Sequence, residues 1–334
     1  MFMNFSKIIF FILMIISTLM VISSKSWINC WISLEINLMF FIPLIHVKNN
    51  SLNNEFLMKF FFIQLVTSIT LIISIMFMNL SSSSYFNNFT LIFNLTMLMK
   101  MGVAPFHLWM IQIIEYLSWM SFLIIMTWQK IAPLIMMSYL INYNLIMVFI
   151  LINCLIGSFM GFNQLYMRKM LFFSSIHNMG WLLSTLILNL NIWLIFFSIY
   201  TFTMIILITS IYSININNMN QLFNFNLKNI KYINIIILLL SLSGLPPLIG
   251  FFPKWLILIS FIKTNNFMIF IMMILTLINL YFYLRMFYPF LIMSKFYLKW
   301  SKISLYNNSS FLYQLCMFNM NIFLVFFPLI FLLI

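Results

Sequence analysis

Apolar residues fill this chain in long, nearly unbroken stretches, Ile8–Met20 and Ile233–Leu240 among them, without alternation of polar and apolar positions. Runs of about 18 or more such residues can cross the roughly 30 Å hydrocarbon layer of a bilayer. In lipid the backbone must satisfy its own hydrogen bonds, which leaves helices or a closed barrel. Barrel strands alternate over about ten positions, and these stretches do not. The pattern predicts an all-α membrane protein. Charged or Asn/Ser-rich breaks, such as Ser81–Ser84 and Asn215–Asn220, divide it into about eleven spans. These are residues 8–23, 27–45, 56–79, 89–114, 117–140, 145–162, 170–189, 192–213, 230–262, 266–291 and 313–333. No soluble domain or long linker separates them, so residues 1–334 read as one polytopic membrane domain.

Composition agrees. The chain is 65% hydrophobic and 6% charged, where a soluble fold carries about a quarter charged residues. Its 30 Met and 41 Phe are not a demand of the bilayer; the bias looks like coding by an AT-rich organellar genome. No short, charged, cleavable leader precedes a small-residue site, so the first run reads as the first spanning helix, although an uncleaved signal anchor would look the same. Cys30, Cys154 and Cys316 lie far apart with no CxxC, and no zinc or iron–sulfur framework is visible.

The net charge of +13 raises nucleic-acid binding, but the basic residues alternate with apolar spans rather than forming one basic face. Orientation in a membrane explains them better. With alternating loops, Lys7, Lys48, Lys59, Arg168, Lys169, Lys228, Lys231, Lys295, Lys299 and Lys302 fall on the N-terminal side, and Lys25 and Lys263 on the other. Arg285 can snorkel to the N-terminal side. The positive-inside rule places that side in the compartment of synthesis, and an odd number of crossings places the C-terminus opposite.

Subtracting loop charges leaves Glu35, Lys100, Lys130 and Lys254 inside apolar spans. Lys254 is about eight residues, or roughly 12 Å at the helical rise, from the end of its span. A charge at the bilayer centre costs at least roughly 2.5–3.5 kcal/mol on insertion scales. Burial favours the neutral form of an ammonium, and an approaching carboxylate favours the charged form. A lysine and a glutamate whose separation changes can therefore take up and release a proton, which an arginine cannot do. The competing reading is a set of fixed ion pairs that cement helices.

Two spans also contain helix breakers. Lys100-Met-Gly-Val-Ala-Pro-Phe-His-Leu-Trp109 carries Gly102 and Pro105; Ser243-Gly-Leu-Pro-Pro-Leu-Ile-Gly-Phe-Phe-Pro-Lys-Trp255 carries Pro246, Pro247 and Pro253. Proline removes a helical N–H and frees a carbonyl. At membrane depth this is tolerated where backbone lines a protein-covered or wet cavity, and discontinuous helices mark ion-translocating folds. Each break has a lysine beside it. A simple proline kink is the bland alternative. His107 and His177 are possible proton relays or packing histidines, and His46 reads as interfacial. Glu55 and Lys59 form an ordinary i,i+4 pair. Glu115 sits at a span edge.

Leu34-Glu-Ile-Asn37, the Lys100–Trp109 segment, Thr127-Trp-Gln-Lys-Ile-Ala-Pro133, Gly161-Phe-Asn-Gln164 with Arg168-Lys169, Gly244-Leu-Pro-Pro247, Gly250-Phe-Phe-Pro-Lys-Trp255 and Asn279-Leu-Tyr-Phe-Tyr-Leu-Arg285 stand in the order and spacing of a known family. Together they resemble the subunit 2 family of the mitochondrial proton-pumping NADH:ubiquinone oxidoreductase, complex I. The resemblance implies an antiporter-like fold shortened at the N-terminus relative to bacterial relatives, with about eleven transmembrane helices, two of them discontinuous. It matches the family's proton-path residues to Glu35, Lys100, Lys130 and Lys254. It also implies a mitochondrial inner-membrane location with the N-terminus in the matrix and the C-terminus in the intermembrane space. The implied partners are other membrane-arm and accessory subunits and lipids such as cardiolipin, with no nucleic acid. No cofactor or metal is implied in this chain; NADH, FMN, iron–sulfur clusters and ubiquinone belong to other subunits.

The chain departs from the family in two places. Ile111 and Gln112 stand where a Pro and an acidic residue are usual. Asn178 occupies the usual histidine position, with His177 just before it. Two rivals keep the same lysines: a free-standing cation/proton antiporter, and a purely structural subunit with inert buried ion pairs. A haem-bearing subunit is disfavoured, because three scattered histidines cannot supply two bis-histidine sites.

Overall fold

The computed structural model describes residues 5–46, 51–80, 86–219, 221, 230–261 and 266–293. The expected span 313–333, Cys316 and the loop lysines Lys48, Lys228, Lys263, Lys295, Lys299 and Lys302 lie outside the described residues. Helices account for nearly everything else. They are α1 (Phe5–Ser23), α2 (Trp27–Ile45), α3 (Ser51–Leu80), α4 (Phe86–Met101), α5 (Leu108–Ile114), α6 (Trp119–Met126), a 3₁₀ turn (Trp128–Lys130), α7 (Ile131–Tyr139), α8 (Tyr143–Gly161), α9 (Met167–Leu188), α10 (Leu190–Ile214), α11 (Ile230–Ser243), α12 (Phe251–Phe261) and α13 (Asn266–Met293). Among the described residues, eight helical stretches are long and apolar enough to cross a membrane.

The chain falls into two compact units, residues 1–149 and 150–334. In the first, α1 packs along α2, α3 packs on α2, α4 and α5, and α7 packs on α1 and α4. Ser26 caps α2, its hydroxyl accepting from the Asn29 amide. In the second unit α9 is the core helix: every residue from Met170 to Leu186 is buried. It contacts α10 and α12, while α11 and α12 each contact α10 and α13. A helix buried on all faces must hide its polar side chains, and α9 does so internally. Ser174, Ser175, Ser184 and Thr185 each donate to the carbonyl three residues back. By contrast, α1 buries only Met14, Ser17, Thr18 and Val21. Between Lys7 and Ser23 the rest of its surface is apolar, as suits a helix whose outer faces meet lipid tails.

Both proline-rich segments interrupt helices, and each interruption begins on the same motif. At the end of α4, Gly102 takes φ +64°, its N–H donates to the Met99 carbonyl and Val103 N–H donates to the Leu98 carbonyl. That is a Schellman turn, which needs a residue tolerant of positive φ. At the end of α11, Gly244 takes φ +89°, with Gly244 N–H to Ser241 and Leu245 N–H to Leu240. Pro253 sits in the first turn of α12, where its missing N–H costs no intrahelical bond.

Residues 117–140 form α6, the 3₁₀ turn and α7 rather than one continuous helix. Pro133 has no N–H to offer the carbonyl four residues back, so the α ladder lapses at Gln129 and the chain tightens there. Lys130 closes that turn.

Candidate functional site

In the first unit, Lys100 lies in the last turn of α4 and Glu35 lies on α2. Lys100 Nζ is 3.9 Å from Glu35 Oε1, and their side chains are 6% and 18% exposed. That distance is beyond a hydrogen bond, and Glu35 Oε1 has no hydrogen-bond partner among the described residues. The pair interacts as charges with slack between them. At about 4 Å and an effective dielectric of about 20, two unit charges attract by roughly 4 kcal/mol. This is comparable to the roughly 2.5–3.5 kcal/mol of placing one charge at membrane depth. The carbonyl end of α4 favours the ammonium further. The Lys100 carbonyl itself, left over by the Schellman turn, accepts from Gln64 Nε2 at 3.3 Å.

Lys130 is 3% exposed. It and Lys100 line one cavity of about 40 Å³, together with Asn37, Gln64, Gln129 and apolar side chains including Phe41, Phe60 and Met110. A water needs roughly 10–15 Å³ of such space and several polar partners, so the cavity has room for more than one. Asn37 and Gln129 pair reciprocally across it. Asn37 Nδ2 donates to Gln129 Oε1 at 3.1 Å, and Gln129 Nε2 donates to Asn37 Oδ1 at 3.1 Å.

In the second unit, Lys254 stands in the first turn of α12 and is 4% exposed. Its ammonium turns back to the end of α11, donating to the Ser243 carbonyl at 2.8 Å and the Leu242 carbonyl at 3.4 Å. These carbonyls are the ones the Schellman turn at Gly244 leaves unbonded. The Trp181 ring lies 6.0 Å from Nζ, the outer limit of a cation–π contact. A cavity of about 20 Å³, enough for one water, adjoins Lys254 and is lined by Asn178, Tyr200, Thr203 and Ser241 among others.

The sequence-derived residues thus sort into local groups. Glu35 and Lys100 come together, Lys100 shares a cavity with Lys130, and Lys254 has its own site. His107 is buried at the start of α5 with Nδ1 3.1 Å from the Pro105 carbonyl. His177 is fully buried, its Nδ1 3.2 Å from Asn279 Nδ2. Of the neighbours His177 and Asn178, Asn178 is the one lining the Lys254 cavity. Glu55 and Lys59 form the expected exposed pair at 2.7 Å. Asn37, Gln64 and Gln129 join these residues at the site; Asn37 and Gln129 stand within motifs of the family pattern, but no charge or helix break singles out any of the three in the sequence.

The family model described as NADH:quinone oxidoreductase/Mrp antiporter, TM, matches residues 24–280. The chain is similar to NADH-ubiquinone oxidoreductase chain 2 of Anopheles gambiae, at 41% identity over 91% of each chain. Its fold is similar to a chain of respiratory complex I from Thermus thermophilus, with a TM-score of 0.78 at 14% identity over 98% of this chain and 78% of that one. It is also similar to a chain of the membrane-bound sulfane sulfur reductase, an archaeal respiratory membrane complex, with a TM-score of 0.81 at 12% identity over 96% and 73%.

Proposed function

The chain belongs to the NADH:quinone oxidoreductase/Mrp antiporter family of transmembrane proteins, alongside the chain 2 relatives of NADH-ubiquinone oxidoreductase, and from that premise we propose that it carries protons within the membrane arm of complex I. The observation that carries the reading is the Glu35–Lys100 pair at 3.9 Å, with Lys130 lining the same small cavity as Lys100. Helices flank the cavity, and the pair has slack rather than a tight hydrogen bond. An ammonium so placed can change its charge when the carboxylate moves or when a neighbouring charge changes.

In this mechanism, redox chemistry in other subunits shifts the charge state along a hydrated midplane axis. Glu35 modulates Lys100, Lys130 receives the proton through cavity water, and Lys254 exchanges protons with the adjoining subunit or one aqueous side. His107 and His177 are further relay candidates. The chain contributes to an oxidoreductase complex without redox chemistry of its own, and NADH, FMN, iron–sulfur clusters and ubiquinone are assigned to other subunits.

The finer architecture belongs to the same reading. Residues 1–334 form one polytopic domain of about eleven crossings, with α4–α5 and α11–α12 each serving as one discontinuous crossing. In this reading the N-terminus lies in the mitochondrial matrix and the C-terminus in the intermembrane space, which the basic residues of the loops support. The partners are other membrane-arm and accessory subunits, with cardiolipin among the lipids.

The test is proton translocation per NADH oxidised in the assembled complex carrying Lys100→Met or Lys130→Met. The ratio should fall while the complex still assembles. Full pumping in either variant would return its lysine to an inert structural role and overturn the path through this cavity. Recovery of the chain as an active cation/proton exchanger apart from any NADH-oxidising assembly would favour the free-standing antiporter.

A further inference from the structure

The reciprocal amide pair of Asn37 and Gln129 calls for an explanation beyond packing. Gln129 directly precedes Lys130 on the 3₁₀ turn, and Asn37 shares α2 with Glu35. The pair therefore ties the segment bearing the carboxylate to the segment bearing the second lysine. Both amides line the cavity that Lys100 and Lys130 share. Asn37 is 3% exposed. Gln129 Nε2 has a second contact, to Met14 Sδ at 3.3 Å, so its two N–H groups are both committed.

We propose that Asn37 and Gln129 are a gate for the proton step between Lys100 and Lys130, a deepening that rests on the proton-path reading above. An amide neither gains nor loses a proton near neutral pH, so neither residue carries the proton itself. Closed, each amide spends one N–H and one carbonyl lone pair on the other, and Gln129 gives its second N–H to Met14, so fewer groups remain to order a water chain across the cavity. A side-chain rotation opens it and turns those same groups toward water. The exchange replaces two amide–amide hydrogen bonds with hydrogen bonds to water, a nearly balanced trade. The gate can therefore move without a large conformational change. A 3₁₀ turn within a helical run is a common place for such a hinge.

The test uses the assembled complex in inner-membrane vesicles, reading protons moved per NADH oxidised at matched complex content. One double variant, Asn37→Leu with Gln129→Leu, keeps apolar packing and removes both amides. A second, Asn37→Gln with Gln129→Asn, exchanges the two amides and keeps the total side-chain length. The apolar pair should lower the ratio by about tenfold and the exchanged pair should stay within about twofold of the parent, as expected when buried hydrogen-bonding groups rather than volume are what matter. A purely structural role would lower complex content without moving the ratio per complex. Normal pumping by the apolar pair, or equal loss in both pairs, overturns the gate. Lys130→Met, run in parallel, separates the two levels. If Lys130→Met pumps normally, the proton-path reading fails; if it does not pump and the apolar pair does, only the gate fails.

Discussion

At the ends of α4 and α11 the backbone does the same thing: a Schellman turn on a positive-φ glycine, at Gly102 and at Gly244. The lysines beside these turns are held differently. Lys100 belongs to the helix that is ending, points to a carboxylate 3.9 Å away, and leaves its own carbonyl to Gln64. Lys254 belongs to the helix that follows, pairs with no carboxylate among the described residues, and itself bonds the leftover carbonyls of Ser243 and Leu242. The first break divides two jobs between two side chains, with Gln64 satisfying the helix end and Lys100 bearing the charge. The second gives both jobs to Lys254. Lys254 also sits in the first turn of α12, whose positive end opposes an ammonium, while the negative end of α11 attracts it. The contrast shows two ways to hold an amine in an apolar segment: balance by a nearby carboxylate, or balance by backbone dipoles.

The sharpest way to break this comparison is to delete each charge. Lys100→Met should abolish most pumping and strand Glu35, costing about 3 kcal/mol, the low end for orphaning one member of a buried pair, because the carboxylate keeps some exposure. Adding Glu35→Gln should restore thermal stability of the assembled complex but not pumping. Lys254→Met should also stop most pumping, with a smaller stability loss of roughly 1–3 kcal/mol from carbonyls left without donors. No carboxylate substitution should rescue it. Thermal unfolding of the complex, read beside proton translocation, checks all three variants. Rescue of Lys254→Met stability by Glu35→Gln would erase the distinction.

A smaller effect comes from the turn glycines. Alanine at either position must adopt an unfavourable positive φ, at about 1–2 kcal/mol. What the new methyl meets differs. At Gly102 it meets the flexible Met110 Cε at 2.8 Å, whereas at Gly244 it meets Lys254 Cδ and Nζ, each at 3.1 Å. Gly102→Ala and Gly244→Ala should therefore lose similar stability, and only Gly244→Ala should lose pumping, by about an order of magnitude if its lysine loses one charge-assisted bond. Equal pumping by the two variants would mean that the bond from Lys254 to the end of α11 has no part in proton transfer.

Much of this arrangement was readable from residues alone, for physical reasons that differ by residue. Charges stand out in an apolar chain because each carries a cost, so Glu35, Lys100, Lys130 and Lys254 announce themselves. Proline and glycine mark the places where α4 and α11 must stop. The start and end of α2 fall where expected, because Ser26 and the polar residues after His46 bound an unbroken apolar run. The 3₁₀ turn at 128–130 was not read, because a single proline early in α7 leaves hydrophobicity untouched. Nor were the roles of Asn37, Gln64 and Gln129. An amide in a span carries no charge signal, and in a chain so rich in Asn its presence says little until a partner is seen across the cavity.

Gln64 supplies the finest test of the comparison. If the first break truly separates helix capping from charge, Gln64→Leu removes only the donor to the Lys100 carbonyl. The expected result is a loss of about 1 kcal/mol, the usual net worth of one such hydrogen bond, with protons moved per NADH oxidised unchanged. Lys100 would keep its distance to Glu35, because that distance is set by α2 and α4 rather than by the amide. A fall in pumping as deep as that of Lys100→Met would show that Gln64 acts on the lysine's charge and not merely on the helix end. The two breaks would then share a single design, in which the group that caps the helix also controls the proton.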